Sequence, residues 1–162
     1  MLTLVTFPDP ILKQKAENWN FKEHVNAEVI EREMIETMKA NNGIGLSGNQ
    51  IGLLRRIFVM KLQDGREMGF FNPHILYGDN NLIDGQEGCL SFPNLWLKVA
   101  RHNKITAMYL DSTAKQCIIE LEGIDSRCFQ HELDHLDGVT FTEHVSDLKL
   151  KMAQKKQRKL NG

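Results

Sequence analysis

The run His131-Glu132-Leu133-Asp134-His135 sets two imidazoles four residues apart with a carboxylate beside the first. On a helix, residues i and i+4 share one face a turn apart, so both rings can grip one metal ion while Glu132 reaches a water bound to it. That is equipment for metal-dependent hydrolysis, with Glu132 as general base. The same run also suits a core helix whose histidines only hydrogen-bond, since HExxH arises by chance in unrelated chains. A third ligand decides between the two readings.

Several side chains could supply it. Metzincins continue the motif as HExxHxxGxxH; Gly138 is in place, but Phe141 stands where the third histidine belongs. Thermolysin-like sites take a glutamate from a following helix, and Glu143 lies too close to the expected helix end to serve well. Asp147 is a further downstream carboxylate. Upstream, Cys89 sits in the compact segment Glu87-Gly88-Cys89-Leu90-Ser91. A Cys/His/His set leaves the fourth tetrahedral position open for water, as a catalytic site requires.

Three segments together resemble the motifs of the peptide deformylases, GxGLAAxQ, EGCLS and HExDHLxG. The second is present unaltered at Glu87 to Ser91 and the third at His131 to Gly138, while the first reads Gly43-Ile44-Gly45-Leu46-Ser47-Gly48-Asn49-Gln50. Order and spacing agree, and the likeness runs from Phe7-Pro8-Asp9-Pro10 to the lysine-rich end. The resemblance implies an α+β fold of antiparallel sheets packed around a central metal-binding helix. It also implies hydrolysis of the N-formyl group from the N-formylmethionine of nascent polypeptides, with release of formate.

By the same resemblance, Cys89 as thiolate joins His131 and His135 around one divalent ion, natively Fe(II), with Zn(II), Ni(II) or Co(II) suiting the same ligands. Gln50 and the backbone N–H of Leu90 face the oxyanion. Gly43, Ile44 and Gly45 form an edge to which substrate pairs as an added strand, and Ile44, Ile124 and Cys128 shape a methionine pocket. Glu87 pairs with Arg101 to support the metal loop.

The chain also departs from the pattern. Ser47-Gly48 replaces the usual Ala-Ala, with the glycine expected to loosen the segment. Asn42 often corresponds to an acid, and Trp96 to an arginine in bacterial relatives; both bear on substrate preference. Two rivals stay open: a zinc endopeptidase using Glu143 or Asp147, and a non-catalytic metal- or ribosome-binding module, which intact Glu132 and Gln50 oppose.

The elements around these residues follow from periodicity. Asn26 is expected to cap a helix to about Asn42, with Ile30, Met34 and Met38 as its buried stripe and Gly43 as its stop. Strands are expected over 56–62, 70–76, 105–110 and 117–121, with turns at Asp64-Gly65, Gly78 to Asn81 and Asp111-Ser112. A second helix, capped by Asp125 or Ser126 and ended by Gly138, turns Cys128, His131, His135 and Leu136 inward. A third begins near Ser146. Cys117 reads as a small hydrophobe in a strand, and His24, His74, His102 and His144 as surface residues.

At 162 residues and 41% hydrophobic content, the chain fits one catalytic domain over 1–162 with a basic helix from about 146. No run approaches the roughly 20 apolar residues that cross a bilayer, and MLTLVTFPDP lacks the plan of a secretion signal. Three cysteines, an odd number, argue for a reducing compartment over a disulfide framework. The expectation is a cytoplasmic monomer, bacterial or phage-encoded or a mature organellar form, acting without DNA or membrane. Lys149, Lys151, Lys155, Lys156, Arg158 and Lys159 follow the last acid, so residues 1–148 carry 14 − 21 = −7 against a net −1 overall. That basic end is either a solvated helix face or a contact for ribosomal RNA.

Overall fold

The computed structural model describes residues 1–23 and 26–162, so the reading of His24 lies outside the described residues. The elements in order are α1 (Ala27–Ala40), β1 (Gly45–Ser47), β2 (Ile57–Lys61), β3 (Glu67–Gly78), β4 (Leu82–Cys89), β5 (Phe92–His102), β6 (Lys104–Leu110), β7 (Gln116–Glu122), α2 (Ile124–Leu136) and α3 (Asp147–Asn161). Short 3₁₀ turns occupy Pro10–Lys13, Gly48–Ile51 and Phe141–His144. Five strands form one antiparallel sheet in the order β1-β2-β3-β6-β7, and β4 pairs with β5 in a second. This is the α+β architecture expected.

Strand β2 shows why the layers assemble. Its residues alternate faces: Ile57 and Val59 join Met34 and Met38 of α1, while Phe58 and Met60 join Phe129 and Leu136 of α2. Both faces are therefore buried. Phe129 meets Phe58 and Phe70 edge-on, with centroids 4.9 and 5.3 Å apart, contacts worth about 0.5–1.5 kcal/mol each beyond their area. The opposite side of α2 faces the β4–β5 sheet, whose Phe92, Leu95, Leu97 and Val99 pack with Leu12 and Phe141. Helix α2 is thus clamped between two sheets, and even its polar Ser126, Gln130, His131, Glu132 and His135 are buried.

Several local expectations need correction. Strands β1, β4 and β5 were not anticipated; β4 carries two glycines and few β-formers, and half of it is exposed. Asn26 makes no side-chain cap, because it adopts φ 72° at the start of α1. That helix stops through Asn42, at φ 58°, and not through Gly43. Helix α2 is entered through Gly123 at φ 64°. Asp125 instead accepts from Gln63 N at 3.0 Å, and Ser126 Oγ donates to the His102 carbonyl at 2.8 Å. Gly138 does end α2 with φ 73°, and a Cβ there would lie 2.5 Å from the Lys13 carbonyl. His102 is half-buried, with its ring against the Asp79 carbonyl, so it is no free surface residue.

Candidate metal centre

The site forms where the β4–β5 turn meets α2. A register shift between Glu87 and Cys89 bulges the end of β4, and a bulge re-aims a side chain that would otherwise follow the pleat. Cys89 Sγ comes to 3.3 Å from His135 Nε2, and the ligand atoms of Cys89, His131 and His135 all lie within 4.8 Å of one another. A sulfur about 2.3 Å and a nitrogen about 2.0 Å from one tetrahedral ion stand about 3.5 Å apart, so the spacing and the donor types fit a single transition metal. Glu143 is elsewhere, bonded to Thr140 N at 2.8 Å and paired with Lys13 at 3.1 Å. Asp147 opens α3. Neither joins the cluster.

Charge around the ligands is arranged in a chain. His131 Nδ1 meets Glu87 Oε1 at 2.8 Å, which leaves Nε2 for the cluster. Arg101 donates to both Glu87 oxygens at 2.9 Å and to Asp134 Oδ2 at 2.6 Å, and Arg127 reaches Glu87 Oε2 at 2.8 Å. Asp134 in turn accepts His144 Nε2 at 2.8 Å, so that histidine is also tied down. Burial pushes the Glu87 carboxyl up, yet the Arg101 and His131 hydrogen bonds hold it down at about 2. It stays an anion that orients the ring and strengthens it as a ligand.

The two imidazoles differ. Burial pulls His131 down, but hydrogen bonds to Cys89 and Glu87 take it to about 10, so a proton and a cation compete for its lone pair. Burial lowers His135 well below the ordinary value, which keeps it neutral and ready to ligate. Burial pushes the Glu132 carboxyl up to about 7, and its Oε2 has no partner among the described residues. Cys128 is also pushed far up by burial, so its thiol stays protonated.

Beside the cluster, the 3₁₀ turn 48–51 brings in Gln50, which is 1% exposed. Its Nε2 lies 3.4 Å from Cys89 Sγ and 3.2 Å from Ser91 Oγ. The N-terminal segment stitches this turn to the β4–β5 turn: Val5 N donates to the Gln50 carbonyl at 2.7 Å, Phe7 N to the Ser91 carbonyl at 2.8 Å, and Ser91 Oγ to the Val5 carbonyl at 2.7 Å. A cavity of about 750 Å³ opens over the site, lined by Gly43, Ile44, Gly45, Leu90, Ile124, Cys128, His131 and Glu132. Ile44 and Ile124 form its half-exposed rim, and Leu90 sits in the β4–β5 turn.

Glycines 43, 45 and 88 let side chains approach the backbone closely in this wall. A Cβ on Gly45 would lie 2.8 Å from Cys128 Sγ and 2.9 Å from Glu132 Oε1, so the carboxylate packs directly on the β1 backbone. Strand β1 is at the sheet edge, with β2 on one side only. Trp96 reaches over Gly88, where a Cβ would meet its ring at 2.7 Å, and lines the cavity with Asn42.

Sequence reasoning missed Ser91, Arg127 and Asp134 as supports. Ser91 and Asp134 stand inside the two unaltered motifs, which was signal enough; Arg127 carries no local mark, because its partner Glu87 is 40 residues away.

The family model described as polypeptide deformylase matches residues 1–151. The peptide deformylase of Agrobacterium fabrum is 40% identical over 159 residues, covering 94% of this chain and 92% of that protein. That of Thermotoga maritima is 38% identical over 157 residues, covering 96% and 94%. Among solved structures, the peptide deformylase of Legionella pneumophila superposes with a TM-score of 0.91 at 30% identity, covering 99% of this chain and 95% of that one. The Thermus thermophilus enzyme gives 0.89 at 35% identity, covering 98% and 94%. With the cluster, the clamped helix and these likenesses together, the chain belongs to the polypeptide deformylase family, metal-dependent hydrolases whose reaction is deformylation.

Proposed function

We propose that this chain removes the formyl group from N-formylmethionine of new polypeptides with Cys89, His131 and His135 as ligands, Glu132 as proton carrier, and Gln50 with the Leu90 N–H as oxyanion donors. A divalent cation bound there supplies Lewis acidity and lowers the pKa of water from 15.7 towards about 7. The water oxygen bonds to the formyl carbon while its proton passes to Glu132. As the C–N bond breaks, Glu132 returns that proton to the departing amine, leaving formate and a free N-terminus. Gln50 Nε2 and the Leu90 N–H donate to the oxygen that gains charge in between. The Gly43–Gly45 edge pairs with the peptide backbone, and Ile44, Ile124 and Cys128 hold the methionine side chain. Glu87 and Arg101 keep His131 in register.

The observation that carries this reading is the convergence of one sulfur and two imidazoles with Glu132 and Gln50 alongside. Formate release from formyl-Met-Ala-Ser, compared with loss of acetate from its acetylated counterpart, tests it on anaerobically prepared, metal-loaded protein. The formyl substrate alone should turn over, and Glu132→Ala should lose about 10²- to 10⁴-fold in kcat with its metal retained. Comparable acetyl turnover, or an active Glu132→Ala, would contradict the assignment.

Iron(II) is the proposed native ion, as the likeness to the family implies, while imidazole and thiolate suit several transition metals; metal analysis of that preparation decides it. The chain is read as a cytoplasmic monomer forming one catalytic domain over 1–162, with sedimentation of the loaded protein as the check. No helix among the described residues is long and apolar enough to cross a membrane. The exposed cations of α3 support a contact with ribosomal RNA beside the emerging chain, testable by salt titration.

A further inference from the structure

Gln50 is a primary amide, and its two ends differ in chemistry far more than in size, so only its neighbours decide which end faces the metal ligands. Its Oε1 accepts from the Ser47 backbone N–H at 3.0 Å and from Ser47 Oγ at 3.1 Å. Two donors thus engage the two lone pairs of that oxygen. The opposite end, Nε2, is left pointing at Ser91 Oγ, 3.2 Å away, and Cys89 Sγ, 3.4 Å away. Turned over, the amide would aim an acceptor at a thiolate and at any oxyanion forming beside it. Ser47 itself is fully buried, so bulk solvent does not reach its hydroxyl.

The next residue shows why the hydroxyl matters here. A Cβ on Gly48 would lie 2.6 Å from the Leu53 carbonyl and 2.7 Å from the Arg55 carbonyl. The turn therefore closes on the segment leading into β2 with a glycine, the residue that gives the backbone most freedom. The hydrogen bond from the hydroxyl of the residue before it adds a second tie between Gln50 and this turn.

We propose that Ser47 is a positioning residue of the deformylation reaction: its hydroxyl fixes the orientation of the Gln50 amide so that Nε2, not Oε1, faces the reacting carbonyl. This rests on the reading of Gln50 as an oxyanion donor. The Ser47 side chain also accepts the Gln50 backbone N–H as the other half of a capping box, so the test must separate the amide-orienting role from that of capping the turn.

A double-mutant cycle on the metal-loaded enzyme tests it, using Ser47→Ala, Gln50→Leu and both, with metal content and melting temperature measured for each. Ser47→Ala should lower kcat about 3- to 10-fold, the rate equivalent of one net hydrogen bond, with KM and metal content unchanged. Gln50→Leu should cost on the order of 10²-fold in kcat, and adding Ser47→Ala to it should change kcat no further. An unaltered kcat in Ser47→Ala beside an impaired Gln50→Leu overturns this inference alone. So does an equal loss in both backgrounds, which would mark a structural role. Near-wild-type turnover in Gln50→Leu overturns the oxyanion reading and this inference with it.

Discussion

At the scale of single residues, the chemistry depends on how closely side chains approach backbone. Glu132 lies on Gly45 with no room for a methyl group between them. Gly45 has no positive φ, so alanine there is conformationally allowed and acts only through contact. Gly45→Ala should move the carboxylate by a few tenths of an ångström and lower kcat on the order of 10-fold or more, since small misplacements of a reacting group are costly. Metal content should be unchanged. Steady-state formate release gives the answer, and an unaltered kcat would mean that Glu132 needs no such close seat. That Cys89, His131 and His135 come together was foreshadowed by the i, i+4 spacing of the two histidines and, for Cys89, only by the likeness to the EGCLS motif. The burial of Glu132 was not, because a glutamate beside a helix motif looks the same in sequence whether it faces solvent or is covered by a second sheet.

At the scale of elements, legibility followed the strength of the period. Helix α1 was readable from Met34 and Met38, both wholly buried. Strand β5 held a signal that went unused: Leu95, Leu97, Val99 and Arg101 alternate inward. Strand β4 held little, with half of its residues exposed and only Glu87 buried. It is positioned by pairing with β5 through Leu82 to Cys89, a long-range fact that no local window contains. Helix α3 starts after Ser146, whose side chain accepts from Lys149 N.

Helix α3 docks through Leu150 and Ala153 on the β5 cluster and through Gln157 Nε2 on the Pro93 carbonyl at 3.0 Å. Its Lys155, Lys156, Arg158 and Lys159 remain exposed. Replacing those four with glutamine should leave melting and formate release intact while flattening the salt dependence of ribosome association, where each phosphate contact contributes about 0.7 to 0.9 to the slope. Identical slopes for the two proteins would reduce the helix to a solvated face.

At the scale of the whole molecule, the site exists only because two sheets close on one helix. The clustered Cys89, His131 and His135 come from chain segments 42 residues apart (131 − 89), and neither segment holds the set alone. The fold class could be read from strands gathered in the middle of the chain and helices outside them. The layer order could not, since it depends on β6 pairing with β3 across the whole β4–β5 hairpin. Closure also buries Glu87 and Arg101 together, each 5% exposed, which turns an ordinary ion pair into the mount for His131.

X-ray absorption at the zinc edge of the zinc-loaded protein tests the ligand set most directly, with Cys89→Ala as its control. One sulfur at about 2.3 Å and two imidazole nitrogens at about 2.0–2.1 Å should surround the ion, and the sulfur shell and most of the bound metal should vanish together in the variant. Zinc held without sulfur in the wild type, or full metal and activity after Cys89→Ala, would contradict the account.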